Sequence, residues 1–340
     1  MKKILYFLTM LLMFGGLALS SCGKDEEEEE VLTGLDAAKK DYQDNYLGTK
    51  AISLGWTGAT AGCNAGDVNA TVRENVIKRV NYYRRLVGLP DKVTLNTAQS
   101  QKCQEAALYM IANHTITHYP SAGGACYTAG AADAAGHGNL AISYGSGELA
   151  ANHSVNAVSG YIEDPGANNL AVGHRAWILF PQLTAMGTGS AFNGPDQNWA
   201  ANCLMWGDNI SGPAVNIDFV AYPPANYIPS SLVFPRWSFS IQGANFNNAT
   251  VSMTDAAGAN IACNIIHKSG TTGYPDARIA WEPQGNFPGG ITSDTEYNVT
   301  INNVSGAPKT SYTYTVKVFH TTEAAKESPA VQGLRKYLSL

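Results

Sequence analysis

The chain has 340 residues, with 22 basic and 27 acidic side chains and a formal net charge of −5. That length leaves room for two domains. The near-neutral balance provides no basic surface and argues against a nucleic-acid partner.

Lys2 and Lys3 open the chain and an apolar run, Ile4 to Leu19, follows, broken only by Thr9. The run is short for a membrane span, which takes about 20 apolar residues, and fits the apolar segment of an export signal. It ends in Leu19-Ser20-Ser21-Cys22. Small residues before a cysteine at this place resemble the lipobox of bacterial lipoproteins. The resemblance implies cleavage after residue 21, acylation of Cys22, and a lipid anchor in the cell envelope. Lys24 to Glu30 then holds six consecutive carboxylates and carries −5 of the charge, leaving −2 for the remaining mature residues. Such a run cannot pack, so residues 22–45 are expected to form a solvated tether. An acidic run after a lipidated cysteine also resembles the surface-export signal of Bacteroidetes lipoproteins, which implies an outer-membrane position facing outward.

An amphipathic helix is predicted over Thr71 to Leu89. Val72, Val76, Val80, Tyr83 and Val87 form its apolar face. Arg73, Lys78, Arg79, Arg84 and Arg85 fall largely off that face, and Gly88 and Pro90 stop the helix. A second helix is predicted over Thr97 to Asn113, burying Cys103, Ala106, Ala107, Met110 and Ile111. Ser121 to Gly147, rich in Gly, Ala and Ser, reads as mostly loop. A short helix is expected over Gly147 to Tyr161 and a buried element at Trp177, Ile178 and Leu179. Strands are expected around Ala191 and from Ala200 to Trp206.

The pattern changes near residue 223. Tyr222-Pro223-Pro224 and Pro229 mark a linker, because prolines resist a continuing helix or central strand. Beyond it the alternation has period two. Trp237, Phe239 and Ile241 share one face; so do Val251 with Met253, Tyr297 with Val299 and Ile301, and Tyr312 with Tyr314, Val316 and Val318. Short alternating strands bounded by turns predict an antiparallel β-sandwich of immunoglobulin-like size. The reading divides the chain into a leader (1–21), a tether (22–45), an N-terminal domain (46–224), a β-sandwich (225–322) and a tail (323–340).

Besides Cys22 there are five cysteines: Cys63, Cys103, Cys126, Cys203 and Cys263. An exported chain can form disulfides, and an odd number leaves at least one cysteine without an intrachain partner. The pairing is left open, with buried thiols as the plain reading for several.

Four segments of the N-terminal region stand out together: Asn81 to Leu89, His118-Tyr119-Pro120, Gly138-Asn139-Leu140-Ala141, and Gly173-His174-Arg175-Ala176-Trp177 through Pro181. With Gly187-Thr188-Gly189 behind them, they resemble the CAP superfamily of cysteine-rich secretory, antigen 5 and pathogenesis-related 1 proteins. The resemblance covers roughly residues 68–222. It implies an α+β fold, with a three-layer α-β-α sandwich ahead of the β-sandwich. It also implies a cleft where two histidines and two glutamates meet and where a divalent cation such as zinc is held in several members. His118 and His174 match the two histidines and are the implied metal ligands. One glutamate is missing, because Gly138 stands where it would precede Asn139-Leu140. Asp164 matches the second by its spacing from Tyr161, with Glu163 beside it. His137, next to Gly138, is a possible third nitrogen ligand. Arg175 belongs to the same cleft and is expected to make a structural ion pair.

No Gly-x-Ser-x-Gly elbow, His-Glu-x-x-His helix or Ser-x-x-Lys motif is present. With no catalytic residue assigned and one carboxylate gone, the sequence favours a binding module over an enzyme. The partner would be an unidentified small molecule, lipid or protein. A metal-dependent hydrolase of peptide or glycan is the alternative, and a purely structural envelope protein a third possibility.

Overall fold

The computed structural model describes residues 33–144, 154–193, 198–270, 275–285, 287, 290–322 and 338–339. The leader, Cys22 and the acidic run lie outside the described residues. The folded chain begins earlier than the tether reading allows. Helix α1, Gly34–Asp41, continues into a π-helical turn, Tyr42–Leu47. Tyr42 and Tyr46 stack at 5.2 Å and both are buried. Their burial fixes the segment, while charged residues such as Lys40 and Asp44 stay on its wet side.

Helix α2, Ala70–Leu86, buries the predicted valine and tyrosine face. It also buries Arg73, Arg79 and Arg84, which the periodicity placed largely outside. These guanidiniums are matched by carbonyl groups. Arg84 donates to the carbonyls of Pro90, Ile178, Phe180 and Pro181 at 2.8–3.1 Å. Arg79 donates to Thr49 Oγ1 and to the carbonyls of Tyr46 and Thr49 at 2.8–3.0 Å. Five donors on a planar fork can hold several carbonyls at once, so arginine can be buried as loop glue where a single hydrophobicity scale reads it as solvated.

Strand β1, Thr94–Leu95, leads into α3, Thr97–Asn113, whose N-cap Asn96 accepts from the Gln99 amide at 3.1 Å. The segment expected to be loop contains helix α4, Ala129–Gly136, and strand β2, Gly138–Tyr144. Alanine is the best helix former, and Thr128 Oγ1 caps α4 by accepting from the Ala131 amide at 2.9 Å. Helices α5, Ser154–Glu163, and α6, Gly173–Ile178, precede strands β3, Ala185–Phe192, and β4, Trp199–Met205.

The first sheet has the order β1-β3-β4-β2, and Leu338–Ser339 pairs with the free edge of β2. Its faces follow the two-residue period. Leu140, Ile142, Ala201, Cys203 and Met205 pack with α3 and α4, whereas Ala141 and Leu204 join the core shared with α2 and α5. This is the expected α-β-α sandwich. Gly187 and Gly189 let α3 approach β3 closely, since a Cβ on Gly189 would lie 2.2 Å from the Gln104 nitrogen.

Strands β5, Val220–Tyr222, β6, Tyr227–Pro229, β7, Trp237–Ser240, β8, Thr250–Asp255, and β9, Asn260–Ile261, follow. Then come β10, Cys263–Lys268, β11, Arg278–Pro283, β12, Thr295–Asn302, and β13, Ser311–Phe319. They form two sheets, β10-β11-β7-β5 and β6-β13-β12-β8-β9, antiparallel except where β6 pairs with β13. The inner faces carry the residues the alternation selected: Trp237 meets Tyr297 at 5.9 Å and Phe239 meets Tyr312 at 5.5 Å. Tyr222-Pro223-Pro224 is buried, and β5 already belongs to a sandwich sheet. One apolar core therefore runs from α2 and α5 into the β-sandwich.

Candidate functional site

Helix α5 ends at Glu163, and the chain turns through Asp164 with a left-handed φ of 55°. Asp164-Pro165-Gly166 reverses the chain so that α6 starts beside the end of α5. That turn aims the Asp164 carboxylate at the first residues of α6. Asp164 Oδ1 lies 2.7 Å from His174 Nδ1, and both side chains have 0% exposure. Asp164 Oδ2 accepts from the Arg175 amide at 3.3 Å. The Tyr161 ring stacks against the imidazole at 5.5 Å, and its hydroxyl donates to Asn202 Oδ1 at 2.9 Å. Asn139, from β2, donates to the His174 carbonyl at 3.0 Å.

Two arginines extend this group into the β-sandwich. Arg175 donates to the Ile162 carbonyl at 2.7 Å, Ser238 Oγ at 2.9 Å and the carbonyls of Glu163 and Arg236 at 3.3 and 2.9 Å. Arg236 donates to the carbonyls of Asp164 and Asn169 at 2.6 and 3.1 Å, and to Glu282 Oε1 at 3.2 Å. The Arg175 guanidinium also lies over the Tyr222 ring, 4.7 Å from its centroid. Burial pushes its pKa down to about 10, so it stays charged at neutral pH. A small cavity beside it is bordered by Arg175, Ser238, Asp276 and Arg278. Arg175 is thus held by carbonyls and one hydroxyl, and the nearby charges of Asp164 and Glu163 favour its charged form.

The other predicted residues stand elsewhere. His118 is half-buried, with Nδ1 2.5 Å from the Ala135 carbonyl at the end of α4. His137 is exposed, and its Nδ1 pairs with Asp133 Oδ1 at 2.9 Å, one helical turn back. Glu163 is buried at the end of α5, and its carbonyl receives Arg175. The structure thus brings Asp164, His174, Arg175 and the Glu163 backbone into one network. His118 and His137 are placed at the C-terminal end of α4.

Residues 77–206 match the family model of CAP, the cysteine-rich secretory protein family. Over these residues the chain is similar to that family. The match spans well under half of the chain, and no curated protein matches it. The β-sandwich lies beyond the matched residues.

Gly138, where the CAP pattern expects a glutamate, is closed to any side chain. A Cβ there would stand 2.7 Å from the Ala134 carbonyl and 3.2 Å from Cys203 Sγ. His118 and His174 both direct Nδ1 at an oxygen, a pattern that orients the other ring nitrogen of a ligating imidazole. A zinc site, however, needs three or four protein ligands. Among the described residues no group of three or more His, Cys, Asp or Glu side chains is placed to hold a metal ion.

Sequence reasoning missed Arg236, Ser238 and Asn202. Arg236 had one signal: a lone charge between Pro235 and Trp237, at the entry to a strand that alternates Trp237 and Phe239 with serines. Ser238 and Asn202 carried none, because a polar residue on an alternating strand reads as solvent-facing. Here Ser238 faces the other domain and Asn202 faces Tyr161.

Proposed function

We propose that this chain is a binding module of the cell envelope, anchored by a lipid on Cys22, in which the CAP domain and the β-sandwich act as one presenting body. The observation that carries this reading is the sealed pair His174 and Asp164. Both side chains have 0% exposure, and Arg236 ties the Asp164 carbonyl to the sandwich at 2.6 Å. A general base must reach a substrate proton directly or through one water. A buried imidazole held in a joint between two domains is better suited to fixing geometry. The partner is a lipid, small molecule or protein met outside the cell, and the sandwich is the spacer that presents the CAP domain to it. The acidic run after Cys22 supports an outward-facing position in the outer membrane.

Two experiments test the reading. Cys22→Ala should block incorporation of labelled palmitate and move the protein from the membrane to the soluble fraction; retention in the membrane sinks the anchor. Purified mature protein should leave peptide and glycan substrates intact with and without added Zn²⁺. Turnover that disappears in a folded His118→Ala/His174→Ala variant would establish the second reading, a hydrolase resting on those two histidines.

A further inference from the structure

We infer that Cys103 and Cys203 are a cross-linking site, oxidised to a second disulfide that ties α3 to β4. Their sulfurs lie 3.1 Å apart and both residues are completely buried. Non-bonded heavy atoms rest at about 3.5–4.0 Å, so this is closer than packing alone places two sulfurs. A bond length of about 2.05 Å needs an approach of only about 1 Å, within the reach of small rotations about the two Cα–Cβ bonds.

Three further observations point the same way. Cys63 and Cys126 already form a disulfide in the same domain, which places this chain in a compartment that oxidises thiols. Around the pair the side chains of Ala106, Ala107, Ala134, Ala201 and Leu140 are apolar, and the Ala134 carbonyl, 3.6 Å from Cys203 Sγ, is an acceptor that cannot compensate a thiolate. Burial, and then the Cys103 sulfur, push the Cys203 thiol well above its ordinary pKa. Once the domain closes, the pair is both shielded and unreactive, because the thiolate is the nucleophile in exchange. The bond therefore forms during folding, before α3 has packed on the sheet.

The chemistry is thiol–disulfide exchange with an external disulfide, either a protein dithiol oxidase or a small-molecule disulfide. One cysteine thiolate attacks the external disulfide and releases one thiol. The second thiolate attacks the resulting mixed disulfide and releases the other. The protein loses two protons and two electrons, and the external disulfide gains them as two thiols. The cross-link closes a loop of 100 residues. Cys263, half-exposed on β10, is left as the single thiol of the described residues.

Mass spectrometry decides the matter on the full-length protein extracted from its own cells. The sample is denatured in N-ethylmaleimide without reductant and then digested with chymotrypsin, which cuts after Tyr109 and separates Cys103 from Cys126. The expected result is a cross-linked peptide pair containing Cys103 and Cys203, with maleimide on Cys263 alone among these three. Maleimide on both Cys103 and Cys203, or either of them joined to Cys263, overturns the inference. Cys103→Ala should add one maleimide, on Cys203; an unchanged count overturns it as well. The readout is independent of the state of Cys22.

Discussion

The two halves of the CAP sheet are held by different physics. On the α3 side the core is apolar, with alanines such as Ala106, Ala107 and Ala134 set among Tyr109, Met110, Ile111, Leu140 and Ile142, and it holds the two buried cysteines. On the opposite side an apolar core is shared with the β-sandwich, and at the ends of α5 and α6 it is joined by a polar network around two guanidiniums, a carboxylate and an imidazole. The first kind of packing loses stability in proportion to the volume removed. The second depends on every partner being present, because a buried group left unpaired carries its full desolvation cost. A joint of the second kind fixes one relative placement of two domains, which a smooth apolar contact would not.

This contrast can be broken at four places. Arg175→Ala should have the largest effect, about 3–5 kcal/mol of lost stability, since it orphans several buried carbonyls and opens a cavity. Denaturant unfolding measures it, and a loss under 1 kcal/mol would mean that water replaces the guanidinium. Arg175→Lys should recover little, because an ammonium cannot reproduce the planar fork.

Gly138→Ala tests the closed position of the missing glutamate and should cost about 1–3 kcal/mol, as overpacking against a backbone carbonyl does. Gly138→Glu should be worse and should bring no zinc uptake. A stable, zinc-binding Gly138→Glu variant would show that β2 can shift to readmit the carboxylate.

Asp276 gives the pH arm. Burial raises its pKa to about 7, with Arg278 and a hydrogen bond from Gln242 opposing the shift. The folded protein therefore holds a proton that the unfolded chain has already released between about pH 4 and pH 7. Its stabilising contribution is complete below the unfolded pKa and is lost as pH rises through 7, with a slope of at most about 1.4 kcal/mol per pH unit. Asp276→Asn should flatten that part of the profile of melting temperature against pH. A slope that persists in the variant would assign it to another group.

The smallest effect is expected in the sandwich interior. Phe239→Leu keeps an apolar side chain of similar bulk and should cost about 1 kcal/mol. A larger loss would mean that its contacts with Phe219, Tyr312 and Tyr314 act as a unit.

Much of the fold was legible because it is periodic. The predicted helix at Thr97–Asn113 is the observed one. The alternation of Tyr297, Val299 and Ile301, and of Tyr312 through Val318, named the inner face of one sandwich sheet. The hidden parts were those where tertiary context overrides a local rule. An alanine-rich stretch read as loop became α4 and β2, because its helix propensity is real but its short segments are stable only against the sheet. Residues 33–45 read as tether yet packed through Tyr42 and Tyr46, two aromatic rings in a charged segment. Arg79 and Arg84 read as solvent-facing and were drawn inside by carbonyls distant in sequence.

At the site, the sequence named residues that the fold brings together: the spacing from Tyr161 to Asp164 and the Gly173-His174-Arg175 segment selected the core of the network. The tertiary structure alone decided what that network is. Asp164 meets His174 because a left-handed turn folds α6 back on α5. Arg236 and Ser238, more than 60 residues away, come from another domain to bond the Asp164 carbonyl and Arg175 beside the pair. A one-dimensional pattern records which side chains are present. Desolvation, which decides whether an imidazole can meet substrate or only neighbours, is a property of what three dimensions place around it.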